Sequence, residues 1–454
     1  RRHTMSQDPK QILVNTLKRL LRRNAQPHLR KIVNRAHPVD LARAFPALRL
    51  PQQQFLFALI DAPQNQGILL TELDRDMLQT FVADMPLPRL IQILETLPED
   101  DVADLVGHLP AEMGQALLNG MQRRQSEEIG ELLRYDEDSA GGIMVPGFIA
   151  LPETTTVHEA IRQLQKEYSD VEMTFYLYVC DADERLSGVC SLRELVTAKP
   201  DTPLSAIMTQ EIFTVRPDTD QEEVARMVAR YDLLAIPVVD AARRMLGVVT
   251  VDDVIDILRE EATEDILKMA GAGDDFVETK SVLSSIRIRL PWLLASCAGG
   301  VAATMIIGYF EPTLERLIYL AAFIPVIMGM GGNIGTQSAT IVVRGLATER
   351  IQAQRLTPVV LKETAVGGIL GFVYGALLGA VAHVGYAMWK LGLVVGLAVV
   401  FTMTLAAAVG ALLPMSFARF KIDPAVATGP FVTSAIDIMS LTLYFGLANL
   451  LFRL

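Results

Sequence analysis

Asp437 stands alone in the last apolar stretch of the chain, between residues 429–436 and 438–452. An ionised carboxylate at membrane depth costs at least about 2.5–3.5 kcal/mol, so it must face water, a cation or a partner group. No Lys or Arg shares its stretch before Arg453, which favours a cation as its companion. Gly429 and Thr433 lie eight and four residues earlier, on roughly the same helix face, where their backbone carbonyls would meet the waters of a hydrated ion. In the second apolar stretch Gly329, Gly331, Gly332 and Gly335 surround Asn333, Thr336 and Gln337. A helix broken at membrane depth is stable only where it is buried in protein or lines water, so these glycines predict a broken segment beside the same path, with Asn333 on it.

A second group of acids lies upstream: Asp232, Asp253, Glu261, Glu264 and Asp265, joined by Glu222, Asp256, Asp100 and Asp104. Any one of them alone reads as a solvated surface charge. Together they form a candidate binding set for a hard cation, because carboxylate oxygens are its preferred ligands. Facing carboxylates repel one another when empty and are bridged when a cation is bound, so occupancy would favour a compact state.

The elements that carry these residues differ sharply along the chain. Residues 284–454 hold 11 Lys/Arg and 6 Asp/Glu of the totals of 41 and 52, leaving the upstream part strongly acidic. That charge disfavours nucleic acid as a partner. Residues 1–35 are basic and polar, without an apolar stretch of secretory-signal length. Apolar residues recur at helical spacing through residues 10–135, punctuated by Leu50-Pro51, Leu97-Pro98 and Leu109-Pro110, and predict a superhelix of short helices. Residues 143–260 contain an internal repeat of about 60 residues. Ile143-Met144 matches Ile207-Met208, and Gly188-Val189-Cys190-Ser191 matches Gly247-Val248-Val249-Thr250. Each copy reads as an α/β unit that needs its twin to bury its sheet.

Five apolar segments follow, near 289–310, 317–343, 359–387, 391–418 and 425–452, each long enough to span a bilayer. Arg287, Arg289, Arg344, Arg350, Arg355, Lys362, Arg419 and Lys421 fall on one side of it, against Arg316, Lys390 and Arg453 on the other. The positive-inside rule then places the N-terminal region in the cytosol. Gly367, Gly368, Gly371, Gly375 and Gly379 in the third span have the spacing of close helix packing. Cys180, Cys190 and Cys297 and the scattered histidines have no metal-ligand spacing, and no phosphate-binding loop or nucleophile elbow is present, so the sequence argues against an enzyme.

The runs 188–194 and 247–253, each Gly-apolar-apolar-Ser/Thr-x-x-acid, resemble tandem cystathionine-β-synthase (CBS) domains. That resemblance implies a nucleotide site, with Ser191, Arg193, Glu194 and Thr250 as its candidates for ATP. Further motifs coincide in order: Asp138-Ser139-Ala140-Gly141-Gly142-Ile143-Met144, Glu261-Ala262-Thr263-Glu264-Asp265-Ile266, Gly331-Gly332-Asn333-Ile334-Gly335-Thr336-Gln337, Arg344-Gly345-Leu346-Ala347, and residues 423–437. With them the whole chain resembles the MgtE family of magnesium channels and transporters. The resemblance implies a multidomain membrane protein: an N-terminal α-helical superhelix (1–137), an α/β tandem CBS domain (138–200 and 201–260), a connecting helix (261–285) and a five-helix all-α transmembrane domain (286–454). It also implies a homodimer in the bacterial inner membrane, placing two Asp437 side chains at a two-fold axis, and cytosolic Mg²⁺ bridging the upstream acids to close the pore. The family commonly has Asn at the position of Thr336 and Gly at that of Ser440, where a side chain one turn beyond Asp437 would narrow the path. Those departures leave open another divalent cation, Co²⁺ or Zn²⁺, on the same scaffold. A membrane-anchored nucleotide sensor is the alternative of another class.

Overall fold

The computed structural model describes residues 9–167, 176–271, 282–348, 350–426 and 428–453. Parts of the expected first CBS repeat (168–175) and of the connecting segment (272–281) therefore lie outside the described residues. The chain forms two compact units, Arg1–Glu260 and Glu261–Leu454.

The first unit opens with short helices running from α1 (Pro9–Arg22) to α10 (Arg123–Leu132). Their inward-facing leucines and phenylalanines, among them Leu29, Phe45, Leu69, Phe81 and Ile93, form one continuous core. Pro98 and Pro110 stand at the N-cap positions of α8 (Glu99–His108) and α9 (Ala111–Gly120). Glu99, Asp100 and Asp101 fill the first turn of α8, where the helix dipole favours negative charge.

The repeat is visible in the sheets. In the first copy β1 (Ala150–Pro152) pairs in parallel with β2 (Tyr176–Cys180), which pairs antiparallel with β3 (Leu186–Ser191). In the second copy β4 (Ala235–Val239) pairs antiparallel with β5 (Met245–Thr250), and Val215 makes a parallel bridge to Val238 where β1 would stand. Both hairpins shift register at the equivalent place, after Val179 and after Val238. The intervening helices are α11 (Val157–Glu167), α12 (Leu192–Thr197) and α13 (Gln221–Tyr231). Strand β5 leads directly into α14 (Val251–Met269), which continues without interruption past the end of the second repeat.

The second unit contains α15 (Val282–Tyr309), α16 (Glu311–Arg316), α17 (Ile324–Ala347), α18 (Leu356–Tyr386), α19 (Trp389–Arg419) and α20 (Pro430–Phe452). Among the described residues, five stretches are long and apolar enough to cross a membrane, in the places the hydropathy predicts. Helices α18 and α19 form a tight hairpin. A Cβ on Gly375 would lie 2.6 Å from Gly396 O, and one on Gly379 would lie 2.7 Å from Gly392 O, so the two backbones touch. This matches the packing role expected of those glycines.

The glycines of the second span behave otherwise than predicted. Helix α17 is unbroken through Gly329–Gly335, and its irregular turn comes earlier, as the 3₁₀ segment Ile318–Phe323. Two of them instead admit neighbours: a Cβ on Gly331 would lie 2.7 Å from Thr402 Cγ2, and one on Gly335 would collide with Ile436, whereas Gly329 and Gly332 meet nothing within 4 Å. A glycine in a helix interior costs about 1 kcal/mol relative to alanine, a cost offset here by close helix contact rather than by exposed carbonyls.

Candidate functional site

Two helices of the first unit present acids at helical spacing. Asp100, Asp104 and His108 recur at i, i+4 and i+8 on α8, and Asp253, Asp256 and Glu260 at i, i+3 and i+7 on α14. Each trio occupies one face of its helix. Both line a single cavity of about 310 Å³, joined by Asp101, Glu137 and Asp138. Asp100 Oδ1 is buried and has no hydrogen-bond partner. Burial, then the neighbouring Asp101 and Asp253, push the Asp100 carboxyl well above the usual range. Burial, then Glu137, Asp101, Asp253 and Glu260, raise Asp104 to about 7. Asp253 rises to about 6, again chiefly through burial, although it accepts a hydrogen bond from the Thr250 hydroxyl at 2.5 Å. His108 Nε2 lies 3.2 Å from Glu137 Oε1.

An excess of partly desolvated carboxylates with an orphaned oxygen is the chemistry of a site for a hard cation. Among the described residues no three acids, histidines or cysteines already converge at direct-ligand distance.

Of the predicted sensor acids, Asp100, Asp104, Asp253 and Asp256 come together here. The others do not line the cavity. Glu222 pairs with Arg226 at 3.1 Å along α13, and Asp232 ends that helix in the left-handed conformation, φ 51°. Glu261, Glu264 and Asp265 belong to the part of α14 in the second unit, where Glu264 pairs with Lys268. Sequence reasoning missed Asp101, His108, Glu137, Asp138 and Glu260. The i, i+4, i+8 spacing on α8 and the i, i+3, i+7 spacing on α14 were the signal that could have found His108 and Glu260.

The nucleotide candidates separate. Ser191 and Glu194 line a cavity of about 300 Å³ with Tyr176, Tyr178 and Phe213. Tyr178 is 3% exposed and its phenol oxygen has no partner. Ser191 and Glu194 also form a capping box that starts α12, with Ser191 N–H donating to Glu194 Oε2 at 2.7 Å. Thr250 and Asp253 are the equivalent pair of the second repeat. Thr250 lines neither cavity but donates to Asp253 of the acidic one, and Arg193 is exposed outside the lining of the aromatic one.

In the second unit, Gly331 abuts Ser440 and Gly335 abuts Ile436, so α17 and α20 run antiparallel. That register brings Asn333 within about one residue of the depth of Asp437. Asn333 is exposed and Asp437 half-buried in the single chain, and no hydrogen bond or ion pair to Asp437 occurs among the described residues. Asn333, Gln337, Thr340 and Arg344 form an exposed polar stripe at i, i+4, i+7 and i+11 on α17, a face unsuited to lipid.

Gly429 stands at the N-cap of α20. Its carbonyl accepts both the Thr433 N–H at 3.1 Å and the Thr433 hydroxyl at 3.0 Å, so both lone pairs are engaged within the chain. Thr433 keeps free acceptor capacity on its hydroxyl. Ser440 is 1% exposed beside Gly331 and does not narrow a path along this chain. Glu363, a buried acid of α18 that accepts a hydrogen bond from Ser338 at 3.0 Å, was not singled out by the sequence.

Comparison with known proteins follows the same divisions. Residues 324–447 match the model of the MgtE divalent cation transporter family, residues 36–138 the MgtE intracellular N domain, and residues 140–201 and 204–260 the CBS domain. The chain is 37% identical over 433 residues to the magnesium transporter MgtE of Thermus thermophilus, covering 93% of this chain and 95% of that one. It is 32% identical over 431 residues to the magnesium transporter MgtE of Bacillus subtilis, covering 95% of each. The crystal structure of the cytosolic domain of the Mg²⁺ channel MgtE in complex with ATP superposes with a TM-score of 0.51 at 37% identity, covering 54% of this chain and 99% of that chain.

Proposed function

We propose that this chain, which belongs to the MgtE family of divalent cation transporters, carries Mg²⁺ across the membrane it spans and is shut by cytosolic Mg²⁺ bound among its own acids. It is a multi-pass membrane protein with cytosolic N-terminal domains, and its family is one of transporters rather than enzymes.

The observation that carries the transport reading is Asp437, an intramembrane carboxylate level with Asn333 on the polar face of α17. One carboxylate is too little for Mg²⁺, and in a homodimer two would face each other across a shared path. A hydrated ion would meet the two carboxylates, the Asn333 amides and the Thr433 hydroxyls through its own waters, with Gly429 shaping the mouth. The absence of sulfur or imidazole from this set favours Mg²⁺ over Co²⁺ or Zn²⁺.

The acidic cavity supplies the closing step. Without cation, its carboxylates repel or stay protonated; with cation, they are drawn together, and the ligand selects the compact state. Glu222, Asp232, Glu261, Glu264 and Asp265 are candidates for further cation contacts in that state. A nucleotide such as ATP would take the aromatic cavity beside Ser191 and Glu194. Mg²⁺ flux into liposomes, measured as free Mg²⁺ on the cytosolic face is raised, tests the gating. Flux must fall with rising cytosolic Mg²⁺, and flux that is indifferent to it would exclude this mechanism.

A further inference from the structure

Helix α14 carries Asp253 and Asp256 of the acidic cavity near its start and Lys268 one residue from its end. Lys268 is 18% exposed. Its Nζ donates to Asp423 Oδ2 at 2.8 Å and also pairs with Glu264, one turn back on the same helix. Asp423 is itself fixed, since its Oδ1 accepts the Ala425 N–H at 2.8 Å. Backbone contacts continue the junction. A Cβ on Gly429 would lie 3.1 Å from Met269 O, and one on Gly271 would lie 3.4 Å from Pro430 Cδ. Pro430 opens α20, and Asp437 follows about 10 Å further along that helix.

The last turn of α14 is therefore seated on the turn that starts the pore helix, and one ammonium separates two carboxylates that would otherwise repel. Burial opposes the charge on Lys268, but its bonds to Asp423 and Glu264 outweigh that and hold it protonated. Removing one member of such a pair leaves its partners shielded from water and uncompensated.

We propose that Lys268 is the positioning residue that couples the sensor to the pore: its ammonium latches the end of α14 to the 423–430 turn and so holds the closed state. This rests on the reading that cytosolic Mg²⁺ closes the channel. Bound cytosolic Mg²⁺ then acts at one end of α14 and the Lys268 ammonium at the other.

The test uses the full chain in liposomes, comparing wild type, Lys268→Met, Asp423→Asn and the charge swap Lys268→Glu with Asp423→Lys. In Lys268→Met the cytosolic Mg²⁺ needed for half-closure rises about ten-fold or more, with flux at zero cytosolic Mg²⁺ unchanged. Asp423→Asn shifts closure in the same direction, and the swap returns it toward wild type. A misfolded protein cannot conduct where the wild type is shut. Closure of Lys268→Met at the wild-type concentration would overturn the proposal. Hydrogen exchange of residues 264–271 gives an independent reading: faster in Lys268→Met if the latch exists, unchanged if it does not. A wild type indifferent to cytosolic Mg²⁺ would remove the gating mechanism, and the exchange comparison would still decide the latch.

Discussion

Gly335 of α17 lies directly against Ile436 of α20, with no room for a Cβ between them. This contact, with that of Gly331 against Ser440, sets the register of the two helices and brings Asn333 level with Asp437. A side chain at 335 must push α20 away from α17, because the Ala406 carbonyl, 3.3 Å from the same position, blocks the other direction. Gly335→Val should cost about 1–3 kcal/mol and lower the thermal unfolding temperature in detergent. Gly332→Ala, where nothing lies within 4 Å, should leave that temperature unchanged.

The acidic cavity predicts a pH dependence of stability. Asp100, Asp104 and Asp253 all have carboxyls raised above their unfolded range, near 4. A raised folded value means that the protonated form is favoured on folding. The resulting stability is fully present below about pH 4 and is lost as pH climbs through the folded values, about 6 for Asp253 and about 7 for Asp104. The metal-free protein should therefore unfold at lower temperature at pH 8 than at pH 5. Added Mg²⁺ should raise the unfolding temperature more at pH 8 than at pH 5, because at pH 5 protons compete for the same oxygens.

Thr250 tunes that competition. Its hydroxyl donates to Asp253 Oδ2 at 2.5 Å and favours the ionised carboxylate. Thr250→Val removes a hydrogen bond to a charged group, worth about 1.5–3 kcal/mol, and should raise the Asp253 value further. Closure should then require more cytosolic Mg²⁺ at pH 7, and the deficit should shrink at pH 8. A deficit independent of pH would point to packing alone.

Ser440 tests the difference between a path-lining and a packed residue. Its hydroxyl is buried without a partner, as is that of Thr402 nearby. Removing an unsatisfied buried hydroxyl is neutral or stabilising. Ser440→Ala should keep or raise the unfolding temperature and leave ion selectivity as it was, as measured by competition among Mg²⁺, Co²⁺ and Zn²⁺.

The architecture was legible because long periodic signals specify it. The five spans, the short helices and the repeated Gly-apolar-apolar-Ser/Thr run all reappear in the structure. Asp437 stands out in the sequence because a lone carboxylate in an apolar run has no ordinary explanation, and its part in transport rests on the flux measurement below. The glycines of α17 were misread, since a glycine that loosens a helix and one that admits a neighbour look alike until that neighbour, here Ile436 or Thr402, is known. Glu137 and Asp138 were hidden for a similar reason: they become part of the acidic cavity only when their turn is brought against α8 and α14. Lys268 was hidden because Asp423, its partner, lies 155 residues away.

The central claim is that Mg²⁺ crosses the membrane past Asp437. The most direct measurement is Mg²⁺ flux into liposomes for wild type, Asp437→Ala and Asp437→Glu, at zero cytosolic Mg²⁺ and equal protein incorporation. The account predicts flux in the wild type, loss of flux by about ten-fold or more in Asp437→Ala, and partial retention in Asp437→Glu. Wild-type flux carried equally well by Asp437→Ala would contradict it.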